Sequence, residues 1–300
     1  MKLRSIALVA RFELWDAMRS KKALALLILY LTASLAGTAL FIRTVEAIEG
    51  ALADTLAVAR TAQVGTMTST LFESDQFRRI LTGMVGDAKL AEELVTLPPL
   101  ALFYGAFALG LVPLLVVLSA SDTIALEVST GAVRYSLFRC DKLSFALGKF
   151  FGQVGLMVVG VFLGGLACYV LGAFSFASFD PLGTAYWTAV LSLRTCFFGF
   201  AFLGVAFLVS QLTPSVNLAR AGGILLWFAF TAGYHLLDIE KVRAKAPVLI
   251  PTLQELFPGA HRLDLWRPEV LSRLSAEVML LGLGALFFTL GYWRFSRRDG

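Results

Sequence analysis

A catalytic or metal site needs nucleophiles, acids, bases or ligands at spacings that bring them together, and this sequence offers few. Its histidines are His235 and His261, and neither sits in an H-E-x-x-H pair. Cys140, Cys168 and Cys196 are odd in number, widely spaced and free of any C-x-x-C pair. They read as small apolar fillers, not as a disulfide framework or a zinc site. No G-x-S-x-G is present. Gly148-Lys149 lacks the upstream glycine of a phosphate-binding loop and is followed by Phe150 in place of Ser or Thr, so the chain is not expected to bind ATP in the usual way. His261-Arg262-Leu263-Asp264 reads as a solvated loop or a polar cluster, and His235 as a polar tip near the end of an apolar run. No catalytic residue, no metal ligand and no cofactor of the chain's own is assigned.

The side chains that remain are charges, and their placement is the informative feature. There are 26 basic and 21 acidic residues, so 16% of the 300 residues are charged while 58% are hydrophobic. Soluble domains carry roughly 25% charged residues. Six apolar runs explain the shortfall: 23–42, 98–120, 150–174, 187–210, 221–237 and 278–293. Runs of about 20 residues match a hydrocarbon core about 30 Å thick. Ser34-Leu35-Ala36 resembles a cleavage site, but the first run continues past it and is preceded by 22 residues, so it is expected to be a retained anchor. Arg194 is the one formal charge inside the six runs. An arginine at the centre of a span costs about 2.5–3.5 kcal/mol to insert. It therefore either snorkels outward or faces the bundle interior in a substrate or helix-pairing role.

Lys and Arg counts orient the runs. The connections 1–22, 121–149 and 211–220 and the tail sum to +8, and those on the other side to −4. This places both termini in the cytoplasm. Basic residues flanking apolar runs do not make a nucleic-acid module, so no nucleic-acid partner is expected. Residues 3–19 carry Leu3, Ile6, Ala10, Leu14 and Ala17 at helical spacing, with Arg4, Arg11, Trp15 and Arg19 on other faces. This predicts an amphipathic helix in contact with membrane lipids at the interface; packing against a soluble partner is the other reading. Periodicity in 44–62 and again from Phe77 to Leu94 predicts an external helical hairpin within 43–97. The loop 238–277, with Pro247, Pro251 and Pro258, predicts short helices such as 252–257 and 269–276, external or re-entrant. Gly148/Gly152 and Gly160/Gly164 form G-x-x-x-G pairs that let helices approach closely. The whole reads as an all-α polytopic membrane protein in a single transmembrane domain, 1–300.

The connection 121–149 runs from Asp122 through Glu127, Gly131, Arg134 and Arg139 to Lys142, and ends in Gly148-Lys149 at the mouth of the third run. This order resembles the cytoplasmic coupling segment of type-2 ATP-binding-cassette (ABC) exporter permeases. Cys140 stands where that family often has proline, and Lys142 near its usual arginine. The ending Arg294-Phe295-Ser296-Arg297-Arg298-Asp299 and the amphipathic N-terminal helix are also similar to the family's. Within it the pattern is nearest the NosY-like permeases of nitrous oxide reductase maturation, through 225–237 and Phe257-Pro-Gly-Ala-His-Arg-Leu-Asp, although the 43–97 insertion is longer than expected there. The resemblance implies a bacterial inner-membrane permease and a transmembrane dimer of two such chains. It implies two cytoplasmic ATPase subunits as partners, which bind the ATP and magnesium. Glu127, Gly131, Arg134 and Arg139 would couple to the ATPase; Arg11, Trp15 and Arg19 would hold the interfacial helix; a periplasmic partner could sit on 43–97. The competing readings are a membrane scaffold that holds an extracytoplasmic partner through 43–97 without transport, and a stand-alone membrane enzyme.

Overall fold

The computed structural model describes residues 3–55, 75–177, 179–237, 249–267 and 269–297. Among the described residues the elements are helices, with no strand. They are α1 (Leu3–Arg19), α2 (Lys21–Thr55), α3 (Asp75–Val85), α4 (Ala88–Val95), α5 (Pro99–Ala120), α6 (Thr123–Thr130), α7 (Ala132–Leu137), α8 (Lys142–Ser175), α9 (Pro181–Leu212), α10 (Val216–Leu237), α11 (Leu249–Gln254) and α12 (Val270–Ser296). Two 3-10 turns, Pro258–His261 and Asp264–Trp266, lie between α11 and α12. Among the described residues six helices, α2, α5, α8, α9, α10 and α12, are long and apolar enough to cross a membrane.

Helix starts follow local chemistry. Pro99 and Pro181 occupy first-turn positions, where a missing N–H costs nothing. Asp87, Asp141 and Asp180 cap α4, α8 and α9 by accepting backbone N–H bonds from the first turn. The long helices outrun the apolar runs, because an apolar run measures the hydrocarbon while a helix continues until something breaks it. No proline interrupts 23–55. Residues 44–55, expected as the first arm of a separate external hairpin, are therefore the continuation of α2. The second arm is two helices, broken where Gly86 takes a φ of 75° and Asp87 caps the next helix. The rest of that hairpin, 56–74, lies outside the described residues, as do 238–248 of the later loop. Residues 270–276, expected as a short helix of their own, open α12, and 142–149 open α8.

The bundle is organised around α9, which packs against α5, α8, α10 and α12. In its most apolar stretch 78% of the residues are buried, against 17% in α2 and 11% in α10. Lipid tails are as apolar as leucine, so burial alone does not drive these helices together; close packing does. At the α9–α12 contact Gly204 faces Gly284 backbone to backbone, and a Cβ on Gly204 would lie 2.7 Å from the Gly284 Cα. Backbone cannot move aside as a flexible side chain can. Lys142 Nζ donates to the Ser296 carbonyl at 3.1 Å, which sets the start of α8 beside the end of α12. Both described ends of the chain and the 121–141 connection thus share one end of the bundle, the basic end. Helices α3, α4 and α11 and the 3-10 turns belong to the far end.

Gly204→Val is expected to destabilise the protein by about 1–3 kcal/mol or more through overpacking. Gly282→Ala, where no atom lies within 4 Å of the Cβ position, should be close to neutral. Thermal unfolding in detergent compares the two.

Candidate functional site: an ionic relay at the basic end

The α1 helix lies along α8 in close contact. The Gly148/Gly152 pair makes this possible. A Cβ on Gly148 would collide with the side chain of Val9, and one on Gly152 would lie 2.6 Å from the Glu13 Cβ. The G-x-x-x-G pair thus seats the N-terminal helix, burying Ile6, Glu13 and Ala17 and leaving Leu8, Phe12 and Trp15 exposed. Of the apolar face read from the sequence, Ile6 and Ala17 point inward while Leu3 is exposed.

Glu13 enters the bundle because a cation meets it there. Lys149 Nζ lies 2.6 Å from Glu13 Oε2 and 2.5 Å from Glu127 Oε1. The Lys149 and Glu13 side chains are only 8% and 10% exposed. Gln153 donates from Nε2 to Glu13 Oε1 at 3.0 Å and accepts from Ser119 Oγ at 3.0 Å. The Ser119 carbonyl accepts from Lys22 Nζ at 2.9 Å. Lys22 Nζ pairs with Asp122 Oδ1 at 2.5 Å, and Arg220 holds Asp122 Oδ2 through Nη2 at 2.6 Å and Nε at 2.7 Å. This continuous chain of contacts joins α1, α2, α5, α6, α8 and α10. Its three carboxylates balance its three cations, so little net charge is buried. Removing one partner from a buried pair strands the other and costs about 3–5 kcal/mol.

The same geometry positions the 121–141 connection. Asp122 stands just before α6 but is turned to Lys22 and Arg220 and does not cap it. Ser210 of α9 takes over, its Oγ accepting from Ile124 N at 2.9 Å and Ala125 N at 3.2 Å. Gly131 then takes a φ of 74° between α6 and α7, a left-handed turn that side chains with a Cβ resist. Nothing lies within 4 Å of its Cβ position, so within this chain its constraint is conformational and not one of close packing. After the turn Arg134, Tyr135, Phe138 and Arg139 are exposed, the two aromatics by 79% and 87%. Partial burial pushes the Cys140 thiol up, and its Sγ donates to the Ser136 carbonyl. Asp141, accepting from Ser144 Oγ at 2.8 Å and Ser144 N at 3.0 Å, is held below the usual carboxylate range. A depressed folded value means that this cap contributes at neutral pH and is lost as pH falls through that value.

Of the residues singled out in the sequence, Glu127 and Lys149 join the relay and Gly131 forms the bend beyond it. Arg134 and Arg139 are exposed past the bend. Arg11, Trp15 and Arg19 lie on the exposed side of α1, with the Arg19 guanidinium 4.4 Å from the Trp15 ring centre. Arg194 is elsewhere. It reaches toward the far end but stops inside protein, 6% exposed, donating from Nη1 to the Leu265 carbonyl at 3.0 Å with its guanidinium 5.9 Å from the Trp187 ring centre. It pins the Asp264–Trp266 turn, whose Trp266 ring fills the space beside Gly105 of α5. Arg267 beside it pairs with Asp264 at 2.8 Å and with the α4 cap Asp87 at 3.4 Å. Glu13, Lys22, Asp122, Gln153, Ser210 and Arg220 were not singled out. The available signal was Glu13, an acid spaced helically with Ile6, Ala10 and Ala17.

Lys149→Met is expected to destabilise the protein by about 3–5 kcal/mol, because it leaves Glu13 and Glu127 without their shared cation. Ser210→Ala should cost about 0.5–2 kcal/mol, the usual range for a lost cap. Urea or thermal unfolding measures both, and hydrogen exchange should show the loss from Ser210→Ala concentrated in the first turn of α6.

No curated protein matches the chain. The family model described as ABC-2 family transporter protein matches residues 7–300, which takes in α1 from residue 7 onward, the relay, the Gly131 bend and the six helices long enough to cross a membrane. The chain belongs to the ABC-2 family of transporter proteins.

Proposed function

We propose that the chain is the transmembrane permease subunit of an ABC exporter of the bacterial inner membrane. Two copies form the permease, and two separate cytoplasmic ATPase subunits, which bind ATP and magnesium, drive it. The observation that carries this reading is the α6–α7 elbow: a stiff base tied into the bundle, a left-handed bend at Gly131, and an exposed tip with two aromatics and two arginines. Partner contacts of this kind are concentrated in aromatic and arginine anchors. The base transmits because Glu127 is held by Lys149 at 2.5 Å and the first turn of α6 by Ser210, so α6 cannot swing without α8 and α9. Lys149 also holds Glu13, so α1 follows. The elbow, the interfacial helix and the third span then act as one lever between two packings of the dimer.

The basic end is the cytoplasmic end, with both termini there, in keeping with the Lys and Arg bias. The spans offered to the second copy are α10 and the outward face of α2 that carries Ile28 and Leu35, the two least buried of the six. The lever serves equally for export of a substrate and for mechanical transmission to a partner on the other side. The scaffold alternative has less support, because Leu90, Ala91 and Leu94 of its proposed arm are buried in the chain's own packing.

Co-expression with the ATPase tests the assignment. Tyr135→Ala with Phe138→Ala is expected to weaken assembly about tenfold or more, since anchor residues are worth about 2 kcal/mol. Gly131→Trp should assemble poorly, and Glu127→Ala should lower ATP turnover of the complex. Wild-type assembly and turnover in all of them would rule out the elbow as the coupling element.

A further inference from the structure

A cavity of about 70 Å³ lies between α2, α5 and α8, with Leu203 of α9 also in its wall. Its walls run from Ala23 to Tyr30 on α2, from Val112 to Ser119 on α5 and from Gln153 to Val161 on α8. At 1.5 Å per residue it is a slot about 10–12 Å long, parallel to the helices. The walls between its ends are apolar. The far-side end holds the Tyr30 hydroxyl, already bonded to the Tyr104 hydroxyl at 3.0 Å. The basic end holds Ser119 and Gln153, already bonded to each other and to the relay. With its polar atoms engaged, the slot has little to offer water, which needs several polar partners. Its rim, which includes Leu27, Leu115 and Leu156, is only half buried, so the slot opens sideways.

The chain crosses a membrane, so the medium outside that rim is acyl chain. An apolar slot parallel to the spans and open to hydrocarbon suits one such chain. The charges at its basic end say which lipid. Arg19, Lys21 and Lys22 immediately precede Ala23, the first slot residue on α2, and Lys21 is exposed. Basic residues at headgroup depth attract anionic lipids. We infer that the slot binds one acyl chain of an anionic phospholipid from the leaflet at the basic end, with its phosphate beside Lys21 and Arg19. The bound chain spaces α2 from α8 next to Gln153, and so acts as a structural part of the bundle. This rests on the membrane fold and not on the ATPase reading.

Native mass spectrometry of the full chain tests it, after exchange into mixed phosphatidylglycerol and phosphatidylcholine. Gly160→Phe fills the slot without a backbone clash, since its Cβ would sit 3.8 Å from Leu27 Cδ1. Gly282→Phe, with no atom within 4 Å of its Cβ position, is the control. The wild type and Gly282→Phe should each retain one phosphatidylglycerol per chain, and Gly160→Phe should lose it. No retained lipid in the wild type, or equal retention in Gly160→Phe, overturns the site. Equal retention of phosphatidylcholine overturns the anionic headgroup. A phosphatidylglycerol with a photoreactive acyl chain gives a readout that needs no variant. Labelling within 112–119 and 153–161 supports the slot; labelling confined to the outward residues Phe162, Leu163 and Leu166 contradicts it.

Discussion

One buried ammonium holds the basic end of this protein together. Lys149, at the mouth of the third span, cannot lie inside the bundle unpaired, because desolvating a charge costs more than packing returns. It is paired twice, once to the interfacial helix through Glu13 and once to the α6 helix through Glu127. Those two helices are far apart in sequence, and the shared ammonium ties both to the start of α8. Gln153 and Ser119 extend the contact to Lys22, Asp122 and Arg220, so the first, second and fifth spans are held by the same chain of polar groups.

The rest of the molecule divides its work by solvent. Inside the hydrocarbon there is no gain from burying apolar surface, so the helices meet through backbone approach, as at Gly204 and Gly284, and through buried hydroxyls that pair across helices, as Tyr30 and Tyr104 do at 3.0 Å. Charge is kept to the two ends. At the basic end it is balanced and ties helices together. At the far end Arg194 and Arg267 fasten the Asp264–Trp266 turn and the start of α4 over the bundle. An ionic relay at one end and a fastened cover at the other leave the middle of the bundle free to be apolar.

The sequence shows this division in outline. Apolar runs mark the six spans, because an apolar run is a local signal. Gly131 stood out as a glycine within a mixed-charge connection and suggested close backbone approach, but its constraint is a left-handed φ with open space around it. The relay was not visible, because its partners are separated by as many as 140 residues, the distance in sequence between Glu13 and Gln153. Gly148 and Gly152 announced a close approach without saying that the partner is α1. Glu13 sat on a face read as apolar, and only a cation from another helix explains its burial. Arg194 bonds a backbone carbonyl, and a carbonyl carries no sequence signature. Helix ends were misread where nothing breaks the chain, as in the run from Lys21 through Thr55.

The central claim is that α1, α6 and the start of α8 move as one body. Pulsed electron spin resonance between labels at Asp16 and Ser129, both exposed, tests it in the complex with its ATPase. The Asp16–Ser129 distance should be the same in the nucleotide-free and ATP-bound states, while the Ser129–Lys89 distance to the far end changes. A change in the Asp16–Ser129 distance of the wild-type protein on ATP binding would contradict the account.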